Sequence, residues 1–286
     1  MNAVIRSIVA GAGLVSLAFQ TVAQEGASNM ENKIVINQSV NLIVYHTGPA
    51  STYNVVFLHG DSGAATQWFT VMEDLTDIHS VTAFDQRGHG SSSPATSGDY
   101  GYEIRADDLQ AVIASLGSQP IILVAHSGSA GVVLEYARTK PESLRGIYFL
   151  DPASDPRAMP EDMRQELMGA IRSENGLDVV QGYYASIAGQ RPETIATVTG
   201  DAAKVAPDAR IGFAQALIDW KPEVAMSHWT GPTFMAITSA NDTPAAIRCL
   251  SKTVESELLS TEGHWAQLDT PEIIAQSIRS FINGLS

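Results

Sequence analysis

The segment around Ser127 has the spacing of a serine nucleophile held between a strand and a helix. In LVAHSGSAGV an apolar run leads directly into Ser127, and the helical pattern AGVVLEYAR follows it. Residues two before and two after such a serine must be small, because the backbones approach closely, and Ala125 and Ser129 meet that need. Ser129 is the alternative nucleophile, but it would begin the helix. The pattern therefore favours Ser127.

A serine hydroxyl needs a base at neutral pH, and histidine is the side chain whose ordinary pKa suits that role. Of the seven histidines, His264 is the one that follows the last predicted strand, in the loop STEGHWAQLDTPE before a C-terminal helix. That placement suits a base that reaches a nucleophile at the carboxyl ends of parallel strands. We therefore predict His264 as the general base.

The acid that orients the histidine should lie between the serine and the histidine in the chain. Asp242 fits best, because it follows the predicted strand GPTFMAIT in the turn-rich loop SANDTP. Asp151 is the alternative, at the end of the strand RGIYFLD and before Pro152. We predict Asp242 as the acid and keep Asp151 as its rival.

Acyl transfer also requires donors for the oxyanion of the tetrahedral intermediate. The backbone N–H groups of Gly128, after the nucleophile, and of Asp61, in the loop LHGDSGAATQW, are the predicted donors. Asp61 is an unusual residue at such a position. Five further residues are expected to contact substrate: His59, Gly60, Tyr183, Tyr184 and Trp265.

Short β-branched runs alternate with amphipathic stretches from Asn54 onward. The runs NVVFLHG, SVTAFD, PIILVAH, RGIYFLD, GPTFMAIT and SELLS read as buried strands, and KIVIN and VNLIVYH as an antiparallel hairpin at the sheet edge. This alternation predicts an α/β fold with an eight-stranded, mostly parallel sheet and helices on both faces. The expected division is a signal peptide over 1–23, a core over 24–154 and 230–286, and a helical cap over 155–229.

The cap interrupts the alternation after the sixth predicted strand. Helical segments are expected around 161–172, 177–187 and 208–220, with apolar and aromatic residues at helical spacing. Ligands in open α/β sheets bind beyond the carboxyl ends of the strands, where this insertion would lie. We therefore expect the cap to select the substrate without supplying the chemistry.

Five segments together resemble the α/β-hydrolase superfamily. HGDSG, DQRGHGSSS, AHSGSAG, SANDTP and EGHWAQLDTPE occur in its order and spacing, over about residues 33–284. The C-terminal segment is similar to epoxide hydrolases and dehalogenases, which use an aspartate nucleophile where this chain has Ser127. A serine there implies an acyl-enzyme, as in esterases, lactonases and thioesterases.

The N-terminus and the charge bear on location and partners. Residues 1–23 carry one charge, Arg6, and an apolar run too short to span a membrane, which predicts a signal peptide cleaved near Ala23 and a secreted or periplasmic protein without a membrane span. The net charge is −14, which disfavours nucleic acid as a partner. The lone Cys249 allows no internal disulfide.

These residues predict a serine hydrolase that cleaves a small neutral carboxylic ester or lactone. The same three catalytic residues would also permit C–C bond hydrolysis, cofactor-free perhydrolysis, or amidase or aminopeptidase activity. A small-molecule binding protein without catalysis is the alternative from another class. No metal or cofactor is predicted, because the histidines are scattered and no dinucleotide-binding fingerprint is present.

Overall fold

The chain is described by a computed structural model over residues 30–251, 254–261 and 263–285. The predicted signal peptide lies outside these residues and stays a prediction. Among the residues described, no helix has the length and apolar character needed to cross a membrane.

The predicted α/β fold is confirmed, with one eight-stranded sheet in the order β1-β2-β4-β3-β5-β6-β7-β8. Strands β3 to β8 run parallel to one another, and β1 and β2 are antiparallel to their neighbours. The strands are β1 (Glu31–Asn37), β2 (Val40–Thr47), β3 (Asn54–Leu58), β4 (Ser80–Phe84), β5 (Ile121–His126), β6 (Leu144–Leu150), β7 (Thr233–Ile237) and β8 (Glu255–Leu258).

The predicted edge hairpin is present and is closed by a two-residue turn. Gln38 and Ser39 join β1 to β2 with φ values of 46° and 69°. Two successive residues at positive φ match the right-handed twist of a tight hairpin. The turn therefore sets the register in which Asn37 pairs with Val40.

The helices cover both faces of the sheet, as the alternation predicted. Alternate residues of β3 separate into two cores: Val56 and Leu58 pack with one group of helices, and Val55 and Phe57 with the other. The helices are α1 (Phe69–Glu73), α2 (Tyr102–Ala114), α3 (Ser129–Ala137), α4 (Glu161–Arg172), α5 (Gly176–Ile187), α6 (Pro192–Lys204), α7 (Pro207–Ile218), α8 (Pro222–Met226), α9 (Ala266–Asp269) and α10 (Pro271–Asn283).

Helices α4 to α8 form the predicted helical insertion between β6 and β7. Three of them match the expected segments, whereas α6 and α8 were not expected. Helix α6 carries β-branched residues and a glycine in ATVTG, which have low helix propensity, but Val198 and Ala202 bury its inner face. Packing of the apolar face therefore outweighs propensity.

The last strand differs from the prediction. SELLS was expected to be a buried strand, but all four residues of β8 are exposed. Strand β8 pairs only with β7 and lies at the sheet edge. A groove of about 1410 Å³ runs beside it, lined by residues that include Trp229, Phe234 and Glu257 and by none of the predicted catalytic residues.

Candidate active site

Ser127 occupies the predicted tight turn between β5 and α3. Its φ is 53°, a left-handed conformation that a non-glycine residue adopts only where its surroundings enforce it. The Ser127 amide donates to the Leu150 carbonyl at 3.2 Å, and its carbonyl accepts from the Ala153 amide at 3.1 Å. The end of β6 and the residues that follow it therefore hold the turn.

His264 lies against Ser127, as predicted from its place after the last strand. Its Nε2 is 2.8 Å from the Ser127 Oγ. The backbone is held on both sides: the His264 amide donates to the Ile187 carbonyl at 2.9 Å, and its carbonyl accepts from His126 Nε2 at 2.9 Å. Because Ile187 ends α5, the cap itself helps to position the base.

Asp151 supplies the carboxylate that contacts His264. Its Oδ2 lies 2.5 Å from His264 Nδ1, and Thr238 donates to Asp151 from its amide at 2.8 Å and from its hydroxyl at 2.9 Å. Burial alone raises the pKa of Asp151, but the hydrogen bonds from His264 and Thr238 outweigh burial and hold this pKa below its ordinary value. The buried Asp151 is therefore an ionised acceptor for the Nδ1 proton.

The prediction that Asp242 is the acid is wrong. Its side chain is 34% exposed and forms an ion pair with Arg248. Strand pairing explains the difference: β5 and β6 are neighbours, with His126 opposite Leu150, so Asp151 and Ser127 follow directly on adjacent strands. The loop of Asp242 has a supporting role, because Asn241 Nδ2 donates to the Pro152 carbonyl at 2.7 Å.

The two predicted oxyanion donors belong to residues that lie side by side, since the Asp61 carboxylate lies next to Gly128. Among the described residues, neither the Asp61 amide nor the Gly128 amide has an acceptor. Gly60 allows the loop to approach, because a Cβ on it would lie 3.0 Å from the Ser127 Cβ and 2.8 Å from His126 Nδ1. The amides are therefore free to bind an oxygen beside Ser127.

His59 does not contact substrate, contrary to the prediction, because it is completely buried. Its Nδ1 donates to the Gly60 carbonyl at 2.8 Å, and its Nε2 accepts from the Gln86 amide at 3.1 Å. His89 holds the same loop, since its Nε2 accepts from the Ser62 amide at 2.9 Å. These histidines shape the loop that carries Asp61.

Three buried histidines predict an acid-sensitive fold. Burial lowers the pKa of His59 to about 4 and that of His126 to about 3, and it holds the pKa of His89 well below 6.5. The unfolded chain takes up protons at these residues below pH 6.5, whereas the folded chain keeps the rings neutral. Their contribution to stability is thus present above pH 6.5 and lost as the pH falls towards 4.

We expect the free energy of unfolding in urea to fall between pH 6.5 and 5 by up to about 1.4 kcal/mol per pH unit for each buried histidine. His126→Gln should be less stable at pH 7.5. The slope of its unfolding free energy against pH should be smaller than that of the wild type by the contribution of one histidine. A wild-type stability that is flat over this range would contradict the burial of neutral rings.

Trp265 is also placed differently from the prediction. It is 3% exposed, and its ring packs edge-on against His264 with centroids 4.9 Å apart. The Trp265 ring also packs against Tyr184, with centroids 5.4 Å apart, and against His126, with centroids 5.8 Å apart. Trp265 therefore supports the imidazole instead of lining the site.

Tyr184 reaches from α5 to the loop that carries Asp61, the predicted oxyanion donor. Its hydroxyl donates to the Asp61 carbonyl at 2.8 Å. Burial raises the pKa of the Tyr184 hydroxyl above its ordinary value, so the group stays protonated and can donate. Tyr183 is 58% exposed, and its predicted contact with substrate stays a prediction.

Tyr184→Phe should lower kcat for a small activated ester by about fivefold and leave KM nearly unchanged, because one hydrogen bond of roughly 1 kcal/mol positions the loop. Tyr183→Phe is the matched control and should retain the wild-type kcat. If Tyr184→Phe changes only KM, the side chain binds substrate, as the sequence suggested, and does not position the loop.

The comparison with known families agrees with this arrangement. Residues 53–172 match the family model described as the alpha/beta hydrolase fold, which covers β3 to β6, the Ser127 turn and Asp151. The chain has the α/β-hydrolase fold. Among the residues of this α/β-hydrolase that the structure describes, no group of three side chains is placed to hold a metal ion.

Part of the sequence is similar to that of a curated enzyme. A non-heme chloroperoxidase of Kitasatospora aureofaciens is 28% identical over 145 residues, which are 46% of this chain and 52% of that protein. The α/β-hydrolase chain thus spans about half the length of this curated relative.

Solved structures match almost the whole fold. The N-acyl homoserine lactone degrading enzyme Est816 matches with a TM-score of 0.75 and 21% identity, over 87% of this chain and all of that one. A thermophilic esterase from Thermogutta terrifontis matches with a TM-score of 0.76 and 22% identity, over 89% and 99%. At these identities the likeness concerns the fold of the α/β-hydrolase.

Proposed function

We propose that this α/β-hydrolase is a serine hydrolase that cleaves small neutral carboxylic esters or lactones through an acyl-enzyme. The observation that carries the proposal is the continuous contact from Ser127 Oγ to His264 Nε2 at 2.8 Å and from His264 Nδ1 to the Asp151 carboxylate at 2.5 Å. In this arrangement the histidine, oriented by the carboxylate, accepts the serine proton, which makes a weakly nucleophilic hydroxyl reactive.

The geometry supports two half-reactions. His264 removes the proton of Ser127 as the hydroxyl oxygen attacks the substrate carbonyl, and the amides of Asp61 and Gly128 bind the oxygen that gains negative charge. The imidazolium, stabilised by the Asp151 carboxylate, then returns the proton to the leaving alcohol. Water, deprotonated by His264, releases the acid and restores Ser127.

The charge of the chain supports a neutral substrate. With a net charge of −14, the surface repels anions, whereas an uncharged ester approaches without that cost. Structural neighbours named as an esterase and as a lactone-degrading enzyme support testing both substrate classes.

A second candidate activity has its own support in the chloroperoxidase relative. Hydrogen peroxide in place of water would release a peracid from the same acyl-enzyme, with no cofactor. Perhydrolysis and hydrolysis then differ only in the molecule that attacks the acyl group.

A panel of chromogenic esters, lactones and amides tests the proposal. Purified protein should hydrolyse short-chain esters or lactones, and a Ser127→Ala preparation made in parallel should show only the background rate. Adding hydrogen peroxide with a carboxylic acid, and measuring peracid, tests the second activity. Turnover of amides alone would contradict the ester proposal.

A further inference from the structure

Asp61 combines a backbone amide that is a predicted oxyanion donor with a carboxylate side chain. Its Oδ1 accepts from Arg105 Nη2 at 2.7 Å, and the two side chains are 11% and 1% exposed. Arg105 projects from α2 into the interior, on the helix face that also buries Leu109 and Val112. A buried guanidinium needs such a partner, because an isolated buried charge is costly.

The rest of the guanidinium is held by Gln86 and by two aromatic rings, those of Tyr102 and Phe213. Gln86 Oε1 accepts from Arg105 Nε at 3.2 Å and from Nη2 at 2.9 Å, while Gln86 Nε2 donates to Ser129 Oγ at 2.9 Å. The ring of Phe213, from cap helix α7, lies 4.9 Å from the guanidinium carbon. Arg105 is thereby fixed beneath the loop of Asp61 and the turn of Ser127.

The second carboxylate oxygen lies against the other predicted oxyanion donor. A Cβ on Gly128 would be 2.2 Å from Asp61 Oδ2. Among the described residues, Oδ2 has no hydrogen-bond partner. The negative charge of Asp61 therefore packs directly against the residue whose amide would bind the oxyanion, and only Arg105 offsets it by direct contact.

A fixed negative charge at this place opposes the reaction. Two like charges roughly 6 Å apart, at an effective dielectric constant of about 20, repel strongly enough to change a rate by about 100-fold. The tetrahedral intermediate carries one of these charges, whereas the ester substrate does not. The repulsion would therefore act on kcat more than on KM.

We propose that Arg105 is a positioning residue that neutralises Asp61, so that the amides of Asp61 and Gly128 can stabilise an oxyanion. This inference rests on the proposed serine hydrolase function. Variants of the two residues distinguish an electrostatic role from a structural one. Loss of either residue leaves its partner as a buried unpaired charge, but only the loss of Arg105 leaves a negative charge beside the oxyanion.

The test compares Arg105→Met, Asp61→Asn and the double variant on a short-chain p-nitrophenyl ester at pH 8. Arg105→Met should lower kcat about 100-fold with KM within about twofold. Asp61→Asn keeps the backbone amide and should lower kcat at least about tenfold less than Arg105→Met does, and the double variant should recover most of the loss caused by Arg105→Met. Both single variants should lower the thermal midpoint by similar amounts.

Arg87→Met is the matched control. Arg87 forms a buried ion pair at 2.6 Å with Asp108, which lies on α2 as Arg105 does. The Arg87→Met variant should have a lower thermal midpoint without the 100-fold loss of kcat.

Equal losses of kcat in Arg105→Met and Asp61→Asn, with no recovery in the double variant, would show a structural role and overturn the inference. If Arg105→Met does not fold, a large loss of kcat in Asp61→Asn or in the double variant overturns it equally. A wild type without Ser127-dependent turnover would instead refute the proposed function, and the inference with it.

Discussion

Ser127→Ala should lower kcat for a short-chain ester by about 10⁶-fold, as removal of the nucleophile does in a serine protease. The variant keeps the oxyanion donors and the imidazole, but no oxygen remains to form the acyl-enzyme. The fold should be retained, because the contacts that hold the turn use the backbone of Ser127.

Ser129→Ala is the matched control, since Ser129 begins α3 only two residues after Ser127. Ser129 Oγ donates to the His59 carbonyl at 2.5 Å and accepts from Gln86, so it is fully occupied inside the fold. Its loss should reduce thermal stability and leave the Ser127 reaction in place. If Ser127→Ala still hydrolyses the ester and Ser129→Ala does not, Ser129 is the nucleophile.

Asp151→Asn should lower kcat by about 10⁴-fold, the effect of the equivalent change in a serine protease. An amide nitrogen facing His264 Nδ1 would donate to it and force the ring proton onto Nε2, where it blocks the transfer from Ser127. The imidazolium formed during reaction would also lose its carboxylate partner. KM should change far less than kcat.

Asp242→Asn should keep kcat within about threefold, because an exposed ion pair with Arg248 contributes little. Far-UV circular dichroism and the thermal midpoint should confirm that both variants fold. If Asp242→Asn is the inactive variant and Asp151→Asn is not, the assignment of the acid is refuted.

Local patterns were enough to predict the nucleophile and the base. The Ser127 turn depends on small neighbours within two residues, and His264 follows the last strand, so both can be inferred from a few adjacent residues. The mostly parallel, eight-stranded sheet follows similarly from the alternation of strands and helices. The acid could not be settled in this way, because Asp151 and Asp242 both follow a strand at its carboxyl end.

The choice between the two aspartates depends on long-range pairing. Asp151 contacts His264 because β6 lies beside β5 and because Thr238, 87 residues away, donates to its carboxylate twice. Arg105 was missed for a related reason: its partner Asp61 is 44 residues away in the chain. The sequence does contain two signals: an unusual aspartate at position 61, and Asp151 directly before Pro152. Neither signal indicates which distant residue the carboxylate contacts.

Covalent labelling followed by peptide mapping tests the central claim most directly. A fluorophosphonate should add one phosphonyl group to the wild-type protein, on the tryptic peptide that contains Ser127, with fragment ions that place it on that residue. Ser129→Ala should be labelled in the same place, and Ser127→Ala should remain at its unmodified mass. A folded wild type that stays unlabelled, or an adduct on any residue other than Ser127, would contradict the account.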